Sequence, residues 1–461
     1  MKGRRNILNV GVAVLMLLLT TSSAVAMLSL SPAARGQAPG PIDQTWVDQQ
    51  LVAWQPSVIT PMSFGAEDLK ASYDNPLLSY NSMQVQSSYL NMLNSTGAQF
   101  VRIDVGYDPW LSGNSTAQNE MATLIGQARS DGKGIIIADA SAERYRSNPL
   151  PWAQFQTAWV QRVQTLASLF HPDYYIVIKE PGWYAPMISD VLTNPAAQSP
   201  DSWLNLTAAL TSAVHSVSPD TKVGVAIAAD SLSSNPSLYD PYLKGLAGMG
   251  EISFIGFDIY TITGFTATQN YLNTYGSGSK DVWIAECWSS DGTNVNVYDP
   301  SRAALDATWV QAAYYFAEQV HATMMIPFYG NIFASYNLSQ QSPSDPGQIV
   351  SLLQERTPVF YSFQNVISTN AAGTLPTYTT TTSQTATSQT STSGTSAQTS
   401  GEATTGSIST SASSTGEGGG GSGAFGGRAV LLGAAIAVVV VLAVVGLWAA
   451  RRGRAGRPAQ S

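Results

Sequence analysis

The chain has 461 residues, a formal net charge of −8 and only 11% charged residues. No basic stripe lies outside the two ends, which argues against a nucleic-acid partner. The single cysteine, Cys287, excludes a disulfide framework. So few ionisable groups change charge little as pH falls, which suits an acidic milieu.

The N-terminus carries Lys2, Arg4 and Arg5, an apolar run from Ile7 to Leu19, and the small-residue pattern Ala24-Val25-Ala26. That order reads as a secretory signal peptide over residues 1–26, or as an uncleaved signal anchor.

From residue 45 to 370 short β-branched runs alternate with amphipathic stretches. The predicted strands are Val58–Phe64, Gln99–Val105, Gly134–Ala140, Tyr174–Lys179, Lys222–Ala228, Ile252–Tyr260, Asp281–Glu286 and Thr323–Phe328. The predicted helices are Gln84–Ser95, Ala117–Ser130, Trp152–Phe170, Asp201–Val217, Tyr239–Met249, Thr268–Tyr275, Arg302–Val320 and Pro346–Glu355. Strand–helix alternation implies a parallel sheet with right-handed crossovers. Eight such units in about 325 residues fit a (β/α)8 TIM barrel better than a doubly wound open sheet, and no glycine-rich phosphate loop follows a strand.

In such a barrel reacting groups project from the C-terminal ends of the strands. His171, His215 and His321 instead close helices just before strands four, five and eight, at the opposite end. They are read as structural, and neither a metal nor a cofactor is expected. Strand four runs YYIVIKEPGWY and ends at Glu180; strand seven runs DVWIAECWSS and ends at Glu286. A glutamate closing a buried strand needs a partner or a task. Two carboxyl groups facing one another across a pocket suit glycosidic cleavage: one protonates the leaving oxygen and the other attacks the anomeric carbon.

The glutamate–proline ending strand four and the glutamate ending strand seven resemble the clan A glycoside hydrolases, and the resemblance spans the middle domain. It implies that Glu180 is the acid/base and Glu286 the nucleophile of a retaining enzyme. It also implies that Arg102, in FVRIDVGYDPW, and Tyr260, in FIGFDIYT, hydrogen-bond that nucleophile. Read from the residues alone, Arg102 could equally pair with Asp104, two positions on and on the same strand face. Asp139 and Asp258, near strand ends, are candidate supporting or substrate-contacting groups. The clan usually has asparagine before the acid/base, where this chain has Lys179. By strand alternation Lys179 would point outward to the helices; otherwise it would read an anionic sugar such as a uronate. Tyr107, Trp110, Tyr145, Trp183, Tyr184, Trp288 and Tyr329 follow strand ends, as rings lining a sugar groove would.

Residues 374–427 are almost wholly Thr, Ser, Gly, Ala and Gln, too poor in apolar groups to offset their ordering entropy. They read as an extended, glycosylated stalk. Asn94, Asn114, Asn205 and Asn337 head N-glycosylation sequons. Ala429–Ala450 is uninterruptedly apolar and long enough to span a bilayer. Arg451, Arg452, Arg454 and Arg457 in the tail 451–461 mark its cytoplasmic side, which places the large domain outside the cell. The expected protein is an extracellular, membrane-anchored retaining glycosidase acting on a β-linked carbohydrate. A carbohydrate-binding protein on a retired barrel and a transglycosidase are the alternatives.

Overall fold

The structure is a computed structural model that describes residues 42–67, 83–105, 115–139, 142, 145–289, 297–328, 330–340 and 345–374. The expected signal peptide, all but the first residue of the stalk, the apolar span 429–450 and the basic tail lie outside the described residues. So do Tyr107, Trp110, Asn114, Tyr329 and the side chain of Trp183. Among the described residues no helix is long and apolar enough to cross a membrane.

Eight parallel strands close into a barrel in chain order: β1 Ser63–Glu67, β2 Phe100–Val105, β3 Gly134–Asp139, β4 Tyr174–Lys179, β5 Lys222–Ala228, β6 Phe254–Ile259, β7 Asp281–Cys287 and β8 Met324–Pro327. The TIM-barrel reading therefore stands, and the open sheet falls. Amphipathic helices cover the outside. In Trp152–Phe170, for example, Trp152, Phe155, Trp159, Val163, Leu166 and Phe170 recur at three- or four-residue spacing and are all buried.

The first strand needs correcting. It was expected over Val58–Phe64, but β1 begins only at Ser63 and runs to Glu67. The preceding backbone is held by side chains instead of a neighbouring strand. Thr60 N donates to Glu318 Oε2 at 2.9 Å, and Met62 N donates to Asn370 Oδ1 at 3.1 Å. Among the helices not anticipated, Gln44–Ala53 and Pro358–Ala372 both pack on the helix Ala303–Gln319. The three histidines sit at helix ends on the face opposite the strand C-termini. His171 caps Trp152–Phe170 in a left-handed conformation, and His215 Nε2 lies 3.1 Å from the Thr221 carbonyl.

The barrel interior changes character along its axis. Phe100, Tyr174, Phe254 and Trp283 fill the N-terminal end, with the Phe254 and Trp283 rings stacked at 3.6 Å. Glycines make room for them. A Cβ on Gly134 would lie 2.2 Å from the Phe100 ring, and one on Gly224 would lie 2.5 Å from Phe254. Above this floor come Ile136, Ile176, Ala226, Ala285 and Ile326. Beyond these, toward the strand C-termini, the interior side chains are charged.

Candidate active site

Among the described residues six buried ionisable groups share the C-terminal end of the interior: Glu67 from β1, Arg102 and Asp104 from β2, Lys179 from β4, Asp258 from β6 and Glu286 from β7. Simple alternation does not bring them together. On β4, Tyr174 and Ile176 face inward, which would send Lys179 outward. The register against β5 slips between Ile176 and Ile178, so that Ile176 faces Gly224 while Ile178 faces Val225. This bulge puts one extra residue into β4 and turns Lys179 inward. The outward placement expected for Lys179 is therefore corrected: its Nζ lies 2.8 Å from both Asp104 Oδ2 and Glu286 Oε1.

A second slip performs the same service on β7. Trp283 and Ala285 belong to the inner face, so Glu286 would point toward the helices. The register passes from Phe257 opposite Ile284 to Asp258 opposite Glu286, and the extra residue reverses the face. Bulges of this kind re-aim side chains next to functional sites.

Glu286 is only 2% exposed and gathers three donors. Arg102 Nη2 and Lys179 Nζ contact Oε1, and Tyr260 Oη donates to Oε2. Arg102 also donates through Nη1 to the Ala285 carbonyl. Its Nε lies 2.5 Å from Asp104 Oδ1 and its Nη2 2.9 Å from Asp104 Oδ2. Both readings of Arg102 are thus realised by one guanidinium, which binds Asp104 bidentately and reaches Glu286. Arg102 and Lys179 hold Asp104 well ionised despite its burial. The Phe328 ring caps the pair, 5.2 Å from Lys179 Nζ and 5.7 Å from the Arg102 guanidinium carbon.

Glu180 follows β4 in the left-handed region, at φ 54°. A side chain there costs about 1–2 kcal/mol relative to an ordinary conformation. Such strain is typical of positions where function dictates where a group points. Its backbone N–H donates to the Ala226 carbonyl at 2.9 Å. Burial, followed by the negative charge of Glu286, raises the Glu180 carboxyl to about 7, against the opposing pull of Lys179 and Arg102. The two glutamates thus feel one another electrostatically. Asp258 is pushed well above the carboxylate range by its burial, then by Glu286 and Glu180. Within the cluster Arg102 and Lys179 are each shared between Asp104 and Glu286, while Glu180 and Asp258 are raised.

Other candidates stand elsewhere. Asp139 lies on the outer face of β3 with Ile135 and Ile137 and accepts from Tyr175 Oη at 2.8 Å, so it faces away from the barrel interior. Trp288 is fully buried against Trp309 of the surrounding helix layer, with ring centroids 6.0 Å apart, and packs the wall instead of lining a groove. Tyr184 is equally buried; it stacks 4.5 Å from Trp159 and donates to the Asp139 carbonyl at 2.9 Å. Tyr145 packs on Phe155. In each case the ring fills the space between barrel and helices, where its large apolar area counts most. Glu67 at the end of β1 was missed. It is buried and shares the strand face of Gly65, which abuts Ile326 and Ile136 inside the barrel. Its signal, a carboxylate closing an apolar run as in β4 and β7, was hidden by placing the strand too early. Phe328 was also missed, because nothing local marks it as the lid of a cation pair.

No protein-family model matches the sequence, and no curated protein matches it. Solved structures with similar folds include a glucosidase from Croceicoccus marinus, at TM-score 0.46 and 17% identity over 68% of this chain and 69% of that one. A glycoside hydrolase family 5 enzyme from Prevotella bryantii, solved with a xyloglucan tetradecasaccharide, matches at TM-score 0.47 and 12% identity over 66% and 96%. A family 1 β-glucosidase from Thermotoga maritima matches at TM-score 0.44 and 10% identity over 70% and 99%. Likenesses at this level add nothing to the reading of the site, which rests on its own geometry. The eight-stranded parallel barrel fits the clan A resemblance.

Two outcomes follow for stability. Arg102→Met leaves Asp104 and Glu286 buried with one cation between them, and is expected to cost about 3–5 kcal/mol. Urea denaturation at neutral pH measures it, and an unchanged midpoint would mean that the network carries no such weight. Because φ at position 180 is positive, Glu180→Gly should be more stable than Glu180→Ala by about 1 kcal/mol. Equal midpoints for the two variants would remove the case for backbone strain.

Proposed function

We propose that this chain is a retaining glycosidase that cleaves β-linked poly- or oligosaccharides by double displacement. The observation that carries the reading is the contrast between its two glutamates. Burial, then the negative charge of Glu286, raises Glu180 to about 7, while Glu286 is gripped by Arg102, Lys179 and Tyr260. A carboxyl raised toward neutral pH beside one fixed by two cations and a tyrosine suits an acid and a nucleophile within one pocket.

In the first step a Glu286 carboxylate oxygen bonds to the anomeric carbon as the glycosidic C–O bond breaks. Glu180 passes its proton to the departing oxygen. In the second step the Glu180 carboxylate removes a proton from water, the water oxygen bonds to the anomeric carbon, and the Glu286 ester bond breaks. Arg102 and Tyr260 orient the nucleophile, and Lys179 reinforces them from the position where the clan usually has asparagine. Lys179 is engaged on both sides by carboxylates, which argues against its reading a uronate. Its contact with Glu286 also favours the second reading, a carbohydrate-binding protein without turnover, because a twice-paired carboxylate attacks less readily.

The deciding experiment is release of reducing ends from a panel of β-linked glycans. Wild type is expected to release them; Glu286→Gln should lose activity, and Glu180→Gln should fall about 10²–10⁴-fold. The Glu180→Gln loss should shrink on aryl glycosides whose phenol leaves without protonation. In wild type kcat/KM should fall as pH rises through about 7, where Glu180 loses its proton. Glu180→Gln should abolish that limb. Equal activity of wild type and Glu286→Gln would sink the nucleophile assignment, and binding without release would favour the second reading.

We further propose that the domain is exported and held at the cell surface by Ala429–Ala450, with residues 374–427 as spacer. The apolar span, its flanking arginines and the N-terminal signal-like segment support this reading. The full chain is expected in the membrane fraction and accessible to protease on intact cells. A chain ending at residue 427 should be released to the medium. Retention of the shortened chain in the membrane would overturn the anchor.

A further inference from the structure

Asp258 belongs to the interior cluster and has no task in the proposed reaction. It is 2% exposed, and neither of its carboxyl oxygens has a hydrogen-bond partner among the described residues. A buried carboxyl left in this condition is costly, on the order of a few kcal/mol. Buried unsatisfied groups in a native protein call for a reason.

Its place in the fold supplies one. Phe254, Gly256 and Asp258 alternate along the inner face of β6, so Asp258 crowns that face at the end where the reacting groups gather. The register sets it directly opposite Glu286 on the adjoining strand. Adjacent strands run about 4.8 Å apart, so a sugar ring in reach of Glu286 is in reach of Asp258 as well. The group below it, Gly256, has no side chain with which to bond it; a Cβ there would meet that of Ala285 at 2.6 Å. The two cations of the cluster are already engaged by Asp104 and Glu286.

We propose that Asp258 is a substrate-contacting residue whose carboxyl group hydrogen-bonds a hydroxyl of the sugar ring attacked by Glu286. This rests on the glycosidase reading and deepens it. Burial, and after it the negative charge of Glu286, favour the protonated form of Asp258 against the pull of Arg102 and Lys179. A protonated carboxyl offers one donor and acceptor capacity together. That matches a hydroxyl group, which donates and accepts, and selects a neutral, polyhydroxylated ring. In the free protein neither carboxyl oxygen has a hydrogen-bond partner among the described residues, and the bound ring supplies one. A substrate lacking the matching hydroxyl leaves it buried and unpaired, so the discrimination exceeds what one hydrogen bond adds.

The test uses the full chain and a series of p-nitrophenyl β-glycosides of the best-cleaved configuration, with ring hydroxyls replaced by hydrogen one at a time. Asp258→Ala is expected to lower kcat/KM about 10–100-fold on the parent glycoside, but less than about threefold on the single analogue missing the contacted hydroxyl. Asp258→Asn, which keeps a donor and an acceptor, should recover most of the parent activity. An equal loss on every analogue, or no loss on the parent, overturns the contact and leaves the glycosidase reading standing. Should the parent be bound but not cleaved, the same comparison is made on dissociation constants by calorimetry. The same pattern there would uphold Asp258 while removing the glycosidase reading, and an undifferentiated pattern would overturn both. No binding and no turnover also overturns both. Thermal melting of Asp258→Ala at or above the wild-type value is expected, since removing an unsatisfied buried carboxyl should not destabilise the barrel.

Discussion

Two cations buried inside a barrel require two anions in contact with them, and here that requirement organises everything above the aromatic floor. Arg102 and Lys179 are both withdrawn from water and both shared between Asp104 and Glu286. In a low-dielectric interior such a set holds together only as a whole, because each charge left alone would carry its full desolvation cost. The lattice that results is rigid. It fixes Glu286 in position and orientation from three directions, with Tyr260 completing the shell. Preorganisation of this kind lets a site act on developing charge without reorganising during reaction.

Charge balance also explains the behaviour of the remaining carboxyl groups. With two cations consumed by two anions, a third and fourth negative charge have no counter-ion within the cluster. Burial first, and then the negative charge of Glu286, raise Glu180 and Asp258 above isolated carboxyl groups. Asp104, which the two cations hold low, thus differs from Glu180 and Asp258, which are raised.

Geometry is delivered by irregularity. The bulges in β4 and β7 turn Lys179 and Glu286 inward, and the left-handed backbone at Glu180 lets a residue adjacent to Lys179 serve the same site. A perfectly alternating barrel would send Lys179 and Glu286 among the helices. The stacked Phe254–Trp283 floor and the glycines around it bear the opposite role, filling the far end so that the interior is a packed core and only the strand C-termini carry chemistry.

How much of this could be read from the chain follows from the range of each interaction. Strand–helix alternation is local, so the barrel and most of its elements were legible, as was the closure of β4 by Glu180 and of β7 by Glu286. The clan A resemblance pointed to Arg102 and Tyr260. The register slips depend on how a strand pairs with its neighbour, and no local pattern in YYIVIKE or DVWIAEC announces them; hence the face of Lys179 stayed open between two placements. Whether Trp288 and Tyr184 line a groove or fill the wall depends on helices far along the chain, since an aromatic ring suits either place. The start of β1 was decided by Glu318 and Asn370, more than two hundred residues away. Composition and strand order determined what kind of barrel this is and which residues end its strands. Only pairing and packing between distant segments decided which way those residues face and which of them hold their protons.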